Sequence, residues 1–280
     1  MRNALSVDVE DWFQVGAFEK VIERGDWESL PRRVEVNTSR VLDLFAEAGV
    51  KATFFTLGWV AERHPALIRC VAEAGHEVAS HGWDHRRVFT MSEAEFRDDL
   101  ARARAAIEDA AGVAISGYRA PSFSIDTRTP WAHRVLAEQG YAYSSSVAPL
   151  RHDHYGWPQS PRFAWRPLAD SDLIELPVTT VELAGRRMAA GGGGFFRLLP
   201  YAFSNWAISR VNGVDRRPAI FYFHPWEIDP GQPRIAAPLK TRLRHYTNLE
   251  AMRPKLMKLL ESHQWGRTDQ VAKAERERLA

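Results

Sequence analysis

One cysteine, Cys70, occurs in 280 residues. That excludes an intrachain disulfide and a thiolate-based zinc site. Cys70 falls within an apolar helical pattern over 66–74 and reads as a small buried hydrophobe; a lone cysteine also suits a reducing compartment. Excess charge of one sign is missing as well. A formal net charge of +2 provides neither a basic footprint for nucleic acid nor an acidic ligand tract. No apolar run approaches the ~20 residues of a membrane span. The opening MRNALSVDVEDW lacks the long apolar stretch of a signal peptide, and acids arrive by Asp8. The expectation is a soluble, cytoplasmic protein without a membrane span or a nucleic-acid partner. Internal repeats and low-complexity linkers are absent too, so residues 1–280 read as a single domain.

The hydrophobic content of 45% and charged content of 26% are ordinary for a globular chain. The length is within range of one α/β barrel. Apolar runs at 3–9, 51–56, 76–80, 114–118 and from 141 read as strands. Helical patterns over 34–48, 59–74, 92–111 and 129–139 separate them, several closed by glycine. Ser92-Glu93-Ala94-Glu95 fits a capping box. This alternation implies parallel strands with crossover helices. From about 149 to 197 the sequence turns loop-rich. It holds a strand at 173–178 and the run Gly191–Gly194, a plain loop or a backbone approach to ligand. A helix at 200–210 precedes the apolar strand 218–223, which runs into His224; a polar, proline-rich loop to about 245, a last helix at 248–261 and a charged, solvated tail at 267–280 follow.

In such folds functional groups gather beyond the carboxyl ends of the strands. Asp8, Glu10 and Asp11 lie at the end of the first strand. His81 and His85, four residues apart in HEVASHGWDH, follow another strand, Arg119 ends a third, and His224 ends the last. Two imidazoles at that spacing can converge on one metal ion, given a third ligand from elsewhere. His76 begins its strand and drops out. His152 and His154 sit in the loop-rich section, where they could line a cleft. Ten tryptophans suit sugar stacking as well as core packing.

The segments SVDVEDW at 6–12, TFFTLGW at 53–59, GHEVASHGWDH at 75–85, GYRAPSFSI at 117–125 and FYFHPWEID at 221–229 resemble carbohydrate esterase family 4, the NodB-type polysaccharide deacetylases. RHYTNL at 244–249 and QWGRTDQ at 264–270 resemble the branch found beside exopolysaccharide and exosortase loci, which carries a C-terminal extension, here about 240–280. The resemblance implies an α/β fold: a distorted (β/α) barrel of the NodB type with fewer than eight regular strands. It implies removal of N-acetyl groups from a polysaccharide, an exopolysaccharide or its precursor, with one divalent ion, zinc by default.

By the same resemblance His81 and His85 would be metal ligands, His224 the general acid, Asp8 the general base, and Arg119 the group that holds that base. Familiar members carry a second aspartate directly after the base. Val9 stands there in this sequence, so the third ligand falls to Glu10, on the same strand face as Asp8, or to Asp11 if the backbone turns after Val9. Ser122 and Phe123, through a backbone N–H, and Trp83 and Trp226, through their rings, are the candidate substrate contacts. Tyr143 to Ser146 occupies the place of a further family motif, without an assigned role. A small-molecule cyclic-amide hydrolase on the same fold and a non-catalytic carbohydrate-binding barrel are the alternatives.

Overall fold

The computed structural model describes residues 1–152 and 155–280; His154 lies outside them. Its first half is a succession of strand and helix: β1 (Arg2–Val9), α1 (Val34–Glu47), β2 (Thr53–Thr56), α2 (Gly58–Arg63), α3 (Pro65–Glu73), β3 (Glu77–Ser80), α4 (Glu93–Ala111), β4 (Gly117–Tyr118), α5 (Ala132–Glu138) and β5 (Tyr143–Ser144). The second half holds β6 (Ile174–Glu175), a hairpin of β7 (Thr180–Leu183) and β8 (Arg186–Ala189), then α6 (Gly193–Leu198), α7 (Tyr201–Arg210), β9 (Ile220–Phe223), α8 (Leu239–Tyr246), α9 (Leu249–Ser262), β10 (Gln264–Gly266) and α10 (Thr268–Leu279).

β1 is the centre of the sheet. Seven of its eight residues are buried, as a strand covered on both faces requires. β9 pairs with Ala4–Val7, while β10 pairs with Arg2–Ala4 and β2 with Ser6–Val9, all in parallel. A strand has two edges, and β9 overlaps both other partners. β10 and β2 therefore share one edge of β1, one below the other. Around the wall the order is β9-β1-β2-β3-β4-β5-β6. The gap between β6 and β9 is bridged by backbone: Thr179 N–H donates to Ile220 O at 3.2 Å, Gly191 N–H to Thr179 O at 3.1 Å, and Tyr222 N–H to Gly191 O at 2.8 Å. The result is a distorted (β/α) barrel with seven wall positions, several held by strands of two residues.

Several elements depart from the sequence reading. The pattern over 59–74 is two helices, because His64 precedes Pro65 and leaves the helical region (φ −130°, ψ 51°). The Gly191–Gly194 run is not a plain loop: it closes the wall and starts α6. The polar stretch before residue 245 contains most of α8, β10 precedes the tail, and the tail forms α10, which buries Val271 and Ala272. Cys70 is exposed, lying off the Leu67, Ile68, Val71 stripe that faces the core. The capping box at Ser92 and Glu95 is present in both directions. Among the described residues no helix is long and apolar enough to cross a membrane.

Candidate active site

The carboxyl ends of β1, β3, β4 and β9 bring Asp8, Glu10, His81, His85, Arg119 and His224 into one buried cluster. Ligand atoms of Glu10, His81 and His85 lie within 4.8 Å of one another. His81 Nδ1 sits 2.9 Å from Arg119 O. Only a protonated Nδ1 satisfies a carbonyl, so that contact sets the tautomer and leaves the Nε2 lone pair for a ligand. Burial pulls the His81 pKa down to about 4, against the pull of Asp8 and Glu10, which keeps the ring neutral. His85 takes a left-handed backbone (φ 61°), an uncommon conformation for a side chain of this size and one concentrated at functional sites.

Glu10 is the informative member. Its Oε2 lies 2.9 Å from His85 Nε2, yet that oxygen is buried and has no hydrogen-bond partner. Burial raises the Glu10 pKa, but the His85, His224 and His81 imidazoles outweigh it and hold the carboxyl down at about 2. A buried, ionised carboxylate with an orphaned oxygen beside two neutral-capable imidazoles fits a divalent cation, and the donor set suits zinc.

Asp11 is used differently. Its Oδ1 accepts from Trp12 N–H at 2.8 Å, and its Oδ2 from Arg33 N–H at 2.7 Å and Val34 N–H at 3.0 Å. It thus ties the chain after β1 to the start of α1, where backbone donors have no helical partner. Both oxygens are committed, so of the two candidates for the third ligand it is Glu10 that turns to the histidines.

Asp8 pairs with Arg119, Oδ1 to Nη1 at 2.6 Å. The guanidinium, 0% exposed, is further fixed by Ser6 Oγ at 2.8 Å, Ser145 O at 3.1 Å and Ser145 Oγ at 3.0 Å. Ser146 Oγ accepts from Ala120 N–H at 2.9 Å. The serines of the 143–146 segment therefore position Arg119 and the turn after it, a part the sequence did not disclose.

His224 faces two carboxylates. Its Nε2 is 3.4 Å from Glu10 Oε1, and its Nδ1 is 2.8 Å from Glu227 Oε1. Burial lowers the His224 pKa, yet Glu10, Glu227 and Asp8 raise it to about 9 overall. Glu227, 0% exposed, is in turn paired with buried Arg197, Oε2 to Nε at 2.6 Å. Burial pushes the Glu227 carboxyl up, but Arg197 and His224 bring it down to about 2. Neither Glu227 nor Arg197 was singled out from sequence. Glu227 could have been, since it lies three positions after His224 across a proline, the spacing of a capped turn.

The four candidate substrate contacts divide. Ser122 and Phe123 both take positive φ (55° and 49°) in the turn after β4. The Phe123 N–H is already engaged by Ala120 O at 3.0 Å, which leaves the donor role to Ser122. Trp83 packs in the core against Gly58, with Arg102 3.5 Å over its ring. Trp226 is sandwiched between His224 (centroids 5.0 Å) and His245 (4.1 Å), with Nε1 3.4 Å from Glu10 Oε1. Both indoles thus support the cluster from behind and present no open face for a sugar. His152 stacks on Tyr155.

Residues 27–144 match the polysaccharide deacetylase family model, and residues 145–273 match a domain of unknown function, DUF3473. Over 113 residues the chain is 31% identical to a peptidoglycan deacetylase of Helicobacter pylori, covering 40% of this chain and 38% of that protein. Over 133 residues it is 33% identical to a chitooligosaccharide deacetylase of Bradyrhizobium, covering 48% and 55%. These matches support the polysaccharide deacetylase family. The matched stretch spans less than two thirds of each deacetylase's length. Among solved structures, a polysaccharide deacetylase from Mycobacterium smegmatis aligns over 100% of this chain and 92% of its own, with a TM-score of 0.64 and 22% identity. An allantoinase, PuuE, aligns over 96% and 88%, with a TM-score of 0.60 and 16% identity. At those identities the structural likeness establishes the fold. Asp8 and Glu10 precede the deacetylase match, and Arg197, His224 and Glu227 fall in the segment of unknown function. The cluster is thus assembled from both halves of the chain.

Proposed function

We propose that the protein is a metal-dependent hydrolase that removes N-acetyl groups from a polysaccharide, an exopolysaccharide or its precursor, releasing acetate and leaving free amino sugars. The observation that carries this reading is the convergence of Glu10, His81 and His85 beside the Asp8–Arg119 pair and His224. The family match of residues 27–144 and the named activities of the relatives support the substrate class. Residues 1–280 act as one catalytic unit, with about 240–280 as its extension.

Glu10, His81 and His85 would hold one divalent ion, zinc by default, which when bound polarises an acetamide carbonyl and lowers the pKa of water. Asp8, oriented by Arg119, takes the proton of the attacking water. The Ser122 N–H donates to the oxyanion as charge develops. His224, with Nδ1 held by Glu227, releases its Nε2 proton to the leaving nitrogen. Acetate release from a panel of N-acetylated glycans, with and without chelator and added zinc, tests the reading. The expected result is release from at least one glycan, abolished by chelator and restored by zinc. Release from none of them contradicts it.

A further inference from the structure

The segment of unknown function contains a side chain as fully committed as Arg119. Arg197, on α6, is 2% exposed. Its Nε donates to Glu227 Oε2 at 2.6 Å. Nη1 donates to His245 O at 3.1 Å and Thr247 O at 2.6 Å, and Nη2 to Arg244 O at 3.0 Å. Every nitrogen of the guanidinium is used: one edge on a carboxylate, the rest on three carbonyls from the end of α8 and the turn before α9. The same contact is reinforced from the tail, where Asn248 Nδ2 donates to Arg197 O at 2.9 Å and Lys255 Nζ to Leu199 O at 2.8 Å. On the other side Glu227 Oε1 faces both the backbone N–H (3.1 Å) and Nδ1 (2.8 Å) of His224. Room for Glu227 depends on α6 itself, because a Cβ at Gly193 would collide with its carboxylate.

A buried ion pair of this kind is a poor means of adding stability, because desolvation of two charges offsets their attraction. A planar fork that joins one carboxylate to three carbonyls does fix geometry. We propose that Arg197 is a positioning residue: it clamps residues 244–247 to Glu227 and so holds His224 aimed at the leaving group. The C-terminal segment then serves the reaction by orienting the acid, through a chain that runs from tail carbonyls to Arg197, to Glu227, to His224 Nδ1. Lysine cannot replace it, since a single ammonium cannot span Glu227 and the carbonyls together. This inference rests on the deacetylase reading above.

The test compares two leaving groups. An amine must be protonated to depart from an acetamide; the phenolate of p-nitrophenyl acetate leaves without a proton. Rates for an N-acetylated oligosaccharide and for p-nitrophenyl acetate are measured in wild type, Arg197→Lys, Glu227→Gln and the double variant Arg197→Met/Glu227→Gln, each checked for fold and metal content. Glu227→Gln keeps side-chain volume and leaves Arg197 on its carbonyls, so it remains informative where an Arg197 variant fails to fold. The amide-to-ester rate ratio is expected to fall about 10- to 100-fold in each, less than the ~10²–10⁴-fold cost of losing a general acid outright, with no multiplicative loss in the double variant. An unchanged ratio, including a proportional loss of both activities, overturns the positioning role and leaves the deacetylase reading standing. Wild-type enzyme that cleaves the ester and no N-acetylated glycan overturns both.

Discussion

Two adjacent carboxylates, Glu10 and Asp11, carry different work because β1 ends between Asp8 and them. Glu10 turns to His81 and His85, whereas Asp11 meets the first turn of α1. Glu10→Gln is expected to abolish metal binding, read as metal per chain by elemental analysis. Asp11→Asn is expected to retain the metal but to lower stability by about 1 kcal/mol, the usual cost of weakening a helix-start contact, read by thermal denaturation. Asp8→Asn keeps the shape of the base but not its proton affinity. A fall of about 10²–10⁴-fold in acetate release is expected, and a variant at full rate would remove Asp8 from the base role. Residue types at strand ends were legible in the sequence because the chemistry requires them there. Strand alternation favoured Glu10 over Asp11; what occupies Asp11 was not legible, because that depends on which backbone donors the next helix leaves unpaired.

At the scale of elements, the first half was readable, while in the second half α7, β9 and α9 were readable and the pieces that close the wall were not, for a physical reason. Between β1 and β5 the strands and helices alternate, so periodicity and glycine stops mark most boundaries. Between β5 and β9 the wall is made by the two-residue β6 and by bridges from Thr179 and Gly191, too short to leave a period. The same shortness hid α6, whose glycines look like a loop but pack against Glu227. Gly193→Ala is therefore expected to displace the Glu227 carboxylate, costing about 1–3 kcal/mol as an overpacked site and lowering acetate release. A variant with wild-type melting temperature and turnover would contradict that packing. The tryptophans show the opposite error: Trp83 and Trp226 looked like sugar platforms, and both are buried behind the cluster.

At the scale of the whole molecule, buried imidazoles contribute to the loss of stability in acid. His76, buried with Nδ1 accepting from Ala52 N–H at 3.0 Å, is lowered to about 4 by burial, then by Lys51. Its folded pKa lies below the unfolded value. Its stabilising neutral state is therefore fully present above pH ~6.5 and lost as pH falls through about 4, a change of about 3 kcal/mol. His245, lowered to about 3 by burial and then Arg197, acts in the same direction. Glu77 and Asp99, each raised to about 7 chiefly by burial, act in the opposite one, losing their contribution as pH rises through that value. The stability gap between wild type and His76→Asn is expected to shrink as pH falls from ~7 to ~4; a gap that widens or stays constant in thermal melts would exclude this role for His76. The central claim, that Glu10, His81 and His85 form the metal centre of a deacetylase, is tested most directly by following metal content and acetate release together in wild type, Glu10→Gln and Asp11→Asn. The account predicts one divalent ion per chain and activity in wild type and Asp11→Asn, with both lost in Glu10→Gln. Metal and activity retained in Glu10→Gln would contradict it.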